Sequence, residues 1–461
     1  SLSGREGLFP CPADIRIPQH AVERSAANEA VRLLTSGERL ILVHGGGGCG
    51  KTTLMYQIAD RLPEGSVTIF FDCFGGGRYI YSDDKRHLPE NAFLHLANEL
   101  AVELRLPLFI PRSSKYPATI KSFLAKLRLA GEALKQLTPN GILLIVVDAA
   151  DNSVVAADAA DPPERPFVFD LFGANLSALP DNIHIIASCR TARRTSPRLP
   201  FHTPEVICPS FTLQESRQHL KIAFSASNDS LVEQFHNLSN ANPRVQAYAI
   251  AVANGDQTRV LEALLPGGKS LPDVLRASFD NALNKLGQPQ IFEKLVGGLS
   301  FLPAPIAVSS IARITDCTED TVRDFALDLA PGLRLYGDAV TIADEDFDAF
   351  IKDKGSSNRN AIIADIAEDF ITTFQTDPYS SIHVSDALID AGRARDVLSV
   401  IERDPQAAAI GDPIVRRQVQ VRRLRLSLAA CREAGSMTNA LKTVLISAEA
   451  ESRWLAATGS D

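Results

Sequence analysis

Between residue 39 and about residue 208, short and almost wholly apolar runs alternate with longer segments in which apolar residues recur every three or four places. The runs at 39–44, 67–71, 142–147 and 183–188 lack the in-out alternation of a half-exposed sheet, so they predict strands buried on both faces. Leu54, Met55, Ile58 and Leu62 mark one helix between them, and Phe93, Leu96, Leu100 and Leu104, with Pro89 at the start, mark a second. Ile120, Phe123, Leu124, Leu127 and Leu134 mark a third. Strands alternating with helices predict a parallel sheet covered by helices, an α/β domain over 37–208, with 1–36 as an N-terminal linker.

After Val206-Ile207-Cys208 the strand pattern stops. Thr212-Leu213-Gln214-Glu215 is a capping box that opens a helix, and 209–283 predicts an all-helical domain. Three helices follow, one ending at Leu302, one over 308–314 and one from a Thr318 cap to Leu329. Leu333 to Tyr336 and Ala339 to Ile342 flank Gly337-Asp338, a two-residue hairpin signal. Three helices and a β-wing predict a winged-helix domain over 284–352. The rest, 353–461, reads as helical and carries a weak internal echo, Ala391-Gly392 with Leu398 against Ala434-Gly435 with Leu441. That spacing falls in the roughly 40–47 residues of some helical repeats, and two such units do not close an array, so the natural chain is expected to continue past Asp461.

Residues 45–52 read Gly-Gly-Gly-Gly-Cys-Gly-Lys-Thr, a full match to the phosphate-binding pattern G-x-x-x-x-G-K-[ST], placed between a buried-type strand and an amphipathic helix. Glycines let successive N–H groups face one concavity, the lysine reaches the outer phosphates, and the threonine hydroxyl ligates Mg²⁺. The segment therefore predicts a nucleoside triphosphate site with the anion at a helix N-terminus. Gly45, Gly48, Cys49, Gly50, Lys51, Thr52 and Thr53 are its candidate contacts. Asp148 ends the most apolar run, where its carboxylate emerges beside that loop and can join Thr52 as a metal ligand. Asp151 is read either as the group that orients or deprotonates the attacking water or as a loop carboxylate capping a turn. Arg190 follows the last long run and is the candidate γ-phosphate sensor; the alternative is a surface arginine within the basic stretch Arg190, Arg193, Arg194. Asn242-Pro243 sits between two helical segments, where a proline is expected to stop a helix. Cys73 to Tyr79 is glycine-rich without the lysine of a phosphate loop, and is expected to be a mobile loop.

Composition narrows the class. With 461 residues and 45% hydrophobic content the chain can form roughly three domains. A net charge of −8 argues against nonspecific nucleic-acid binding. Seven scattered cysteines without a C-x-x-C pair fit a reducing cytosol, and neither a disulfide frame nor a zinc site. No run is long enough to span a bilayer, and the N-terminus, which begins at Ser1, has no signal peptide, so a cytoplasmic, excised fragment is expected.

The phosphate loop, Asp148 with Asp151, Arg190 after a strand, Asn242-Pro243, the winged helix and the helical repeats occur in an order that resembles the STAND family, the signal-transducing ATPases with numerous domains that include NACHT and AP-ATPase types. The H-G-G-G-G-C-G-K-T-T loop, Phe71-Asp72-Cys73-Phe74 and the 87–101 helix look closest to bacterial, NLR-like members that act in antiphage defence. The resemblance implies ATP or ADP with Mg²⁺. Lys51 and Thr52 would be phosphate and metal residues, Asp148 the Walker B acid, Arg190 the sensor arginine and Pro243 a wall of the adenine pocket. It also implies slow regulatory hydrolysis, oligomerisation on activation, an N-terminal effector domain and a protein trigger, such as a phage protein, read by C-terminal repeats; neither of those end regions is complete here. Where many relatives carry a Met-His-Asp-like triplet, this chain has Ile342-Ala343-Asp344, so other contacts must hold the resting state or ADP is held less tightly.

The leading expectation is a nucleotide-controlled switch. A transcription regulator of similar architecture is the alternative, but helix 318–329 offers Arg323 as its only basic residue against Glu319, Asp320, Asp324 and Asp328, a face that repels DNA phosphate. A continuously working AAA-type motor would require fast turnover and an arginine supplied in trans.

Overall fold

The computed structural model describes residues 8–13, 15, 21–80, 84–109, 118–160, 162–224, 228–253, 255–265, 268–330, 332–343, 345–433 and 435–458. The chain forms two compact units, one of Leu8–Asp280 with Ala343–Asp346, the other of Asn281–Ile342 with the chain from Phe347 onward.

In the first unit, α1 (Ser25–Thr35) precedes β1 (Leu40–Gly45), α2 (Lys51–Asp60), β2 (Val67–Asp72), α3 (Pro89–Glu103), α4 (Ala118–Leu137), β3 (Leu143–Asp148), α5 (Ala150–Ala159), α6 (Phe167–Phe172), β4 (Ile183–Arg190) and β5 (Glu205–Ile207). The strands form one parallel sheet in the order β2-β3-β4-β1-β5. Alternate residues of each strand serve opposite cores. Leu143, Ile145, Val147, Ile185 and Phe71 pack with α3, α4 and α6 on one face, where Phe93 stacks on Phe123 at 4.7 Å. Leu144, Val146, Ile41, Val43 and Ile186 pack against α1 and α2 on the other. The unbroken apolar runs follow from this, since both faces of the sheet are covered.

Residues 25–35 are not linker. Ala26, Ala27, Ala30 and Leu34 of α1 are buried in that second core. Their small size hid the helix from a search for large apolar residues at helical spacing. The glycine-rich segment after Asp72 is likewise not loose. Gly75–Ile80 forms a 3₁₀ turn whose start is fixed by Asp72 Oδ1, which accepts from the N–H groups of Phe74 and Gly75 at 2.9 and 3.0 Å, while the buried Arg86 lies against Gly75.

Four further helices complete this unit: α7 (Leu213–Phe224), α8 (Asp229–Leu238), α9 (Pro243–Ala253) and α10 (Leu271–Leu286), the last running into the second unit. The capping box forms as expected, with the Thr212 N–H donating to Glu215 Oε2 at 2.7 Å and the Glu215 N–H to Thr212 Oγ1 at 3.2 Å.

In the second unit, α11 (Pro289–Phe301), β6 (Ile306–Ala307), α12 (Val308–Thr315), α13 (Glu319–Asp328), β7 (Leu333–Tyr336) and β8 (Ala339–Ile342) follow one another. The hairpin closes over Gly337-Asp338 with Tyr336 opposite Ala339, and β6 adds to its other edge in the order β6-β8-β7. At two residues, β6 is too short to show a period in the sequence. Helices α14 (Glu345–Gly355, whose first two residues belong to the first unit), α15 (Arg359–Thr373), α16 (Pro378–Asp390), α17 (Asp396–Arg403), α18 (Pro413–Glu433) and α19 (Met437–Thr458) make up the rest. Arg313 of α12 binds Asp369 at 3.0 Å and Asp377 at 2.8 Å, tying it to α15 and to the cap of α16. The sequence echo at Gly392 and Gly435 has a local cause. Both glycines stop a helix, and the N–H after each reaches back five residues, Arg393 to the Leu388 carbonyl and Ser436 to the Cys431 carbonyl. Ala434 lies outside the described residues.

Ile145 is fully buried at the centre of the sheet. Ile145→Ala is expected to destabilise the first unit by about 2–5 kcal/mol, read as a lower denaturant midpoint of its unfolding transition; an unchanged midpoint would mean that β3 does not lie at the core.

Candidate nucleotide site

Parallel pairing brings the ends of β1, β3 and β4 to the same sheet edge, with Gly45 opposite Arg190 and Val147 opposite Ala187. Since β4 lies between β1 and β3, Arg190 emerges between the phosphate loop and Asp148. Gly48 and Gly50 take left-handed backbone (φ 69° and 90°), which turns the chain directly into α2, whose first bond runs from the Leu54 N–H to the Gly50 carbonyl at 2.9 Å. Lys51 Nζ donates to the carbonyls of Gly45 and Gly46 at 3.1 and 2.9 Å, so the ammonium is held over the loop. Cys49 is buried beside the Lys51 ammonium, the Cys208 thiol donates to its carbonyl at 3.5 Å, and the closeness of that thiol holds the Cys49 thiol below its usual range.

The Thr52 hydroxyl donates to Asp148 Oδ2 at 2.7 Å. The buried Ser188 hydroxyl donates to Oδ1 and accepts from the Ala149 N–H at 2.8 Å, fixing the left-handed turn that follows β3. Burial pushes Asp148 above the ordinary carboxylate range against the pull of these two hydroxyls. Asp151, buried in the first turn of α5, is also raised, by burial and then by Glu345, with Arg193 opposing at 3.4 Å.

Glu345 and Asp346 belong to the same compact unit. Arg190 donates to Glu345 Oε2 at 2.9 Å and to Asp346 Oδ1 at 2.8 Å; Arg193 reaches Glu345 Oε1 at 2.7 Å, and Arg244 reaches Asp346 Oδ2 at 3.1 Å. Pro243 does not stop a helix; it opens α9. A proline is tolerated in the first turn, where its missing N–H has no partner to lose. Asn242 caps that helix, its Oδ1 accepting from the Arg244 N–H at 2.9 Å while its Nδ2 donates to the Gly47 carbonyl at 3.0 Å.

The structure therefore brings Lys51, Thr52, Asp148, Asp151 and Arg190 together. Pro243 adjoins the loop through its neighbour Asn242. Sequence reasoning missed Arg24, which donates to the Cys49 carbonyl at 2.8 Å and pairs with Glu215 at 3.0 Å. It also missed Asn242, Arg244, Glu345 and Asp346, whose roles rest on contacts between distant segments. Of the Ile342-Ala343-Asp344 triplet, Asp344 lies outside the described residues.

A hydroxyl and a carboxylate side by side at a phosphate loop suit Mg²⁺, which takes few protein ligands and fills the rest with water and phosphate oxygens. Among the described residues there is no group of three or more His, Cys, Asp or Glu placed to hold a metal, and no helix long and apolar enough to cross a membrane.

A family model described as "Nephrocystin 3, N-terminal" matches residues 25–190, the stretch from α1 to Arg190. No curated protein matches the chain. Among solved structures, the STAND protein PH0952 of Pyrococcus horikoshii, which has a tetratricopeptide repeat sensor, is similar with TM-score 0.51 and 11% identity. That match covers 93% of this chain but 58% of that one, so the present chain spans little more than half of its length. The Walker-type ATPase of Pyrococcus abyssi (TM-score 0.38, 15% identity, 74% of this chain and 99% of that) and the Aeropyrum pernix ORC2 protein (0.38, 11%, 77% and 98%) are more distant. The chain thus has a parallel α/β P-loop NTPase fold with attached helical regions, similar to that of the STAND protein PH0952.

The fold holds Asp148 and Asp151 above the usual carboxylate range. Their contribution to stability is present at acid pH and is lost as pH rises through the folded values. Asp148→Asn keeps the shape without the buried charge, and Thr52 Oγ1 can accept from the new amide. Without Mg²⁺ at pH 7 its melting temperature should rise by about 2–4 °C, measured calorimetrically; a fall would show that Asp148 is compensated in the apo protein.

Proposed function

We propose that this chain is a regulatory ATP-binding and ATP-hydrolysing switch of the STAND type. The observation that carries this reading is the phosphate loop with Lys51 at its helix start and Thr52 hydrogen-bonded to Asp148 at 2.7 Å. Lys51, now shared between two loop carbonyls, would exchange these neutral acceptors for phosphate oxygens, which bind a cation more strongly. Thr52 and Asp148 would hold Mg²⁺, which when bound neutralises charge developing on the phosphates. Asp151 would orient the attacking water or take its proton, a task that burial favours by making it more basic than an ordinary carboxylate. Arg190 would read the γ-phosphate, and Pro243 would line the adenine pocket.

On this reading α11 to β8 form a winged-helix domain and the helices after α14 TPR-like repeats. The nucleotide biases a closed and an open state by its differential affinity for them. A protein trigger bound by the repeats would drive homo-oligomerisation, in the cytoplasm, in bacterial antiphage defence. The DNA-binding alternative is disfavoured because Arg323 on α13 is held by Asp338 at 2.8 Å and Glu319 at 3.1 Å.

Nucleotide released by denaturing the purified chain should be ADP or ATP, and Lys51→Ala should weaken ATP binding on the order of 100-fold by titration calorimetry. Binding that is unchanged by this substitution, or a guanine nucleotide in the released material, would reject the assignment.

A further inference from the structure

Three guanidinium groups from separate places converge on two adjacent carboxylates. Arg190 comes from the end of β4, Arg193 from the turn after it and Arg244 from the start of α9. All four carboxylate oxygens of Glu345 and Asp346 accept from them, at 2.7 to 3.1 Å. The pair abuts the phosphate loop, since a Cβ on Gly47 would stand 2.8 Å from Asp346 Oδ2. Asn242 fixes Arg244 to the same loop through the Gly47 carbonyl. Three clustered cations repel one another unless an anion lies among them, and a terminal phosphate offers three acceptor oxygens of the kind that guanidinium forks bind best.

We propose that Arg190, Arg193 and Arg244 together form the subsite for the terminal phosphate of a nucleoside triphosphate, and that Glu345 and Asp346 are an internal anion that occupies it until that phosphate displaces them. The proposal rests on the reading that the loop binds a nucleoside triphosphate, and it adds two arginines and a competing ligand to that site. ADP lacks the third phosphate and binds without displacing the carboxylates. ATP must displace them, so its apparent affinity falls in proportion to the time the subsite is filled from within. The competitor thus lowers ATP affinity selectively and favours the diphosphate state. Glu345 and Asp346 stand immediately before Phe347, where the second unit resumes.

The test is titration calorimetry of the whole chain with ADP and with a non-hydrolysable ATP analogue. Glu345→Gln with Asp346→Asn should tighten the ATP analogue at least about tenfold while ADP changes less than about threefold. Arg193→Gln and Arg244→Gln should each weaken the ATP analogue about tenfold and leave ADP within the same limit. If the acidic variant tightens both nucleotides equally, the carboxylates act as general charge and not as an occupant of the subsite. If the arginine variants lose both nucleotides equally, the subsite is refuted. Circular dichroism checks folding; should the double variant not fold, Arg193→Gln, whose side chain lies on a turn and is 37% exposed, decides the question alone. These failures differ from failure of the underlying reading, in which the unaltered chain would bind neither nucleotide or Lys51→Ala would bind both as well.

Discussion

Parallel pairing of β1, β3 and β4 is the constraint on which the rest depends. Strands that run the same way finish at the same edge, so residues far apart in sequence (Gly45, Asp148 and Arg190) arrive together without any long-range instruction beyond the register. The apolar surfaces of α1 to α4 and α6 hold that register by burying both faces of the sheet. A one-residue slip would exchange the two faces and turn each functional side chain away from the edge.

Electrostatics at this edge is arranged around water exclusion. Asp148 and Asp151 are buried and therefore raised, with two hydroxyls as the close partners of the first and a single arginine contact at 3.4 Å for the second. Buried carboxylates so lightly compensated carry a cost in the folded chain, and a cation delivered with a ligand relieves it. Stability is given up where ligand binding can restore it, the usual sign that a site is built for a guest. The arginines differ. They are half-exposed and fully engaged, and the anions that engage them belong to the chain itself.

What was legible in the sequence follows the range of the interactions involved. Strands β1 to β5, β7 and β8, most helices, the Thr212 and Thr318 caps and the Gly337-Asp338 hairpin are set by neighbours within a few residues, and appear where the pattern places them. The phosphate loop is local too. Arg24, Asn242, Arg244, Glu345 and Asp346 were not legible as site residues, because each acts on a partner from a distant segment, such as Arg190 and Glu345, 155 positions apart. Alanines concealed α1, and Pro243 was misread because a proline marks the beginning of a helix as readily as an end.

The strength of the carboxylate clamp decides whether it can work as a switch. Ion pairs near the surface are typically worth up to about 1 kcal/mol each, and the four here are between exposed and buried in character, so together they amount to a few kcal/mol. A terminal phosphate carries roughly the same charge, about −1.5 to −2, as the two carboxylates, but it would meet the same three guanidinium groups on a ligand held also by the phosphate loop. On the proposed reading, the contact is strong enough to bias the apo and diphosphate-bound chain toward the arrangement described, and weak enough for a triphosphate to replace it. A clamp buried away from water would not be displaced by any ligand, and a single exposed pair would not hold against solvent.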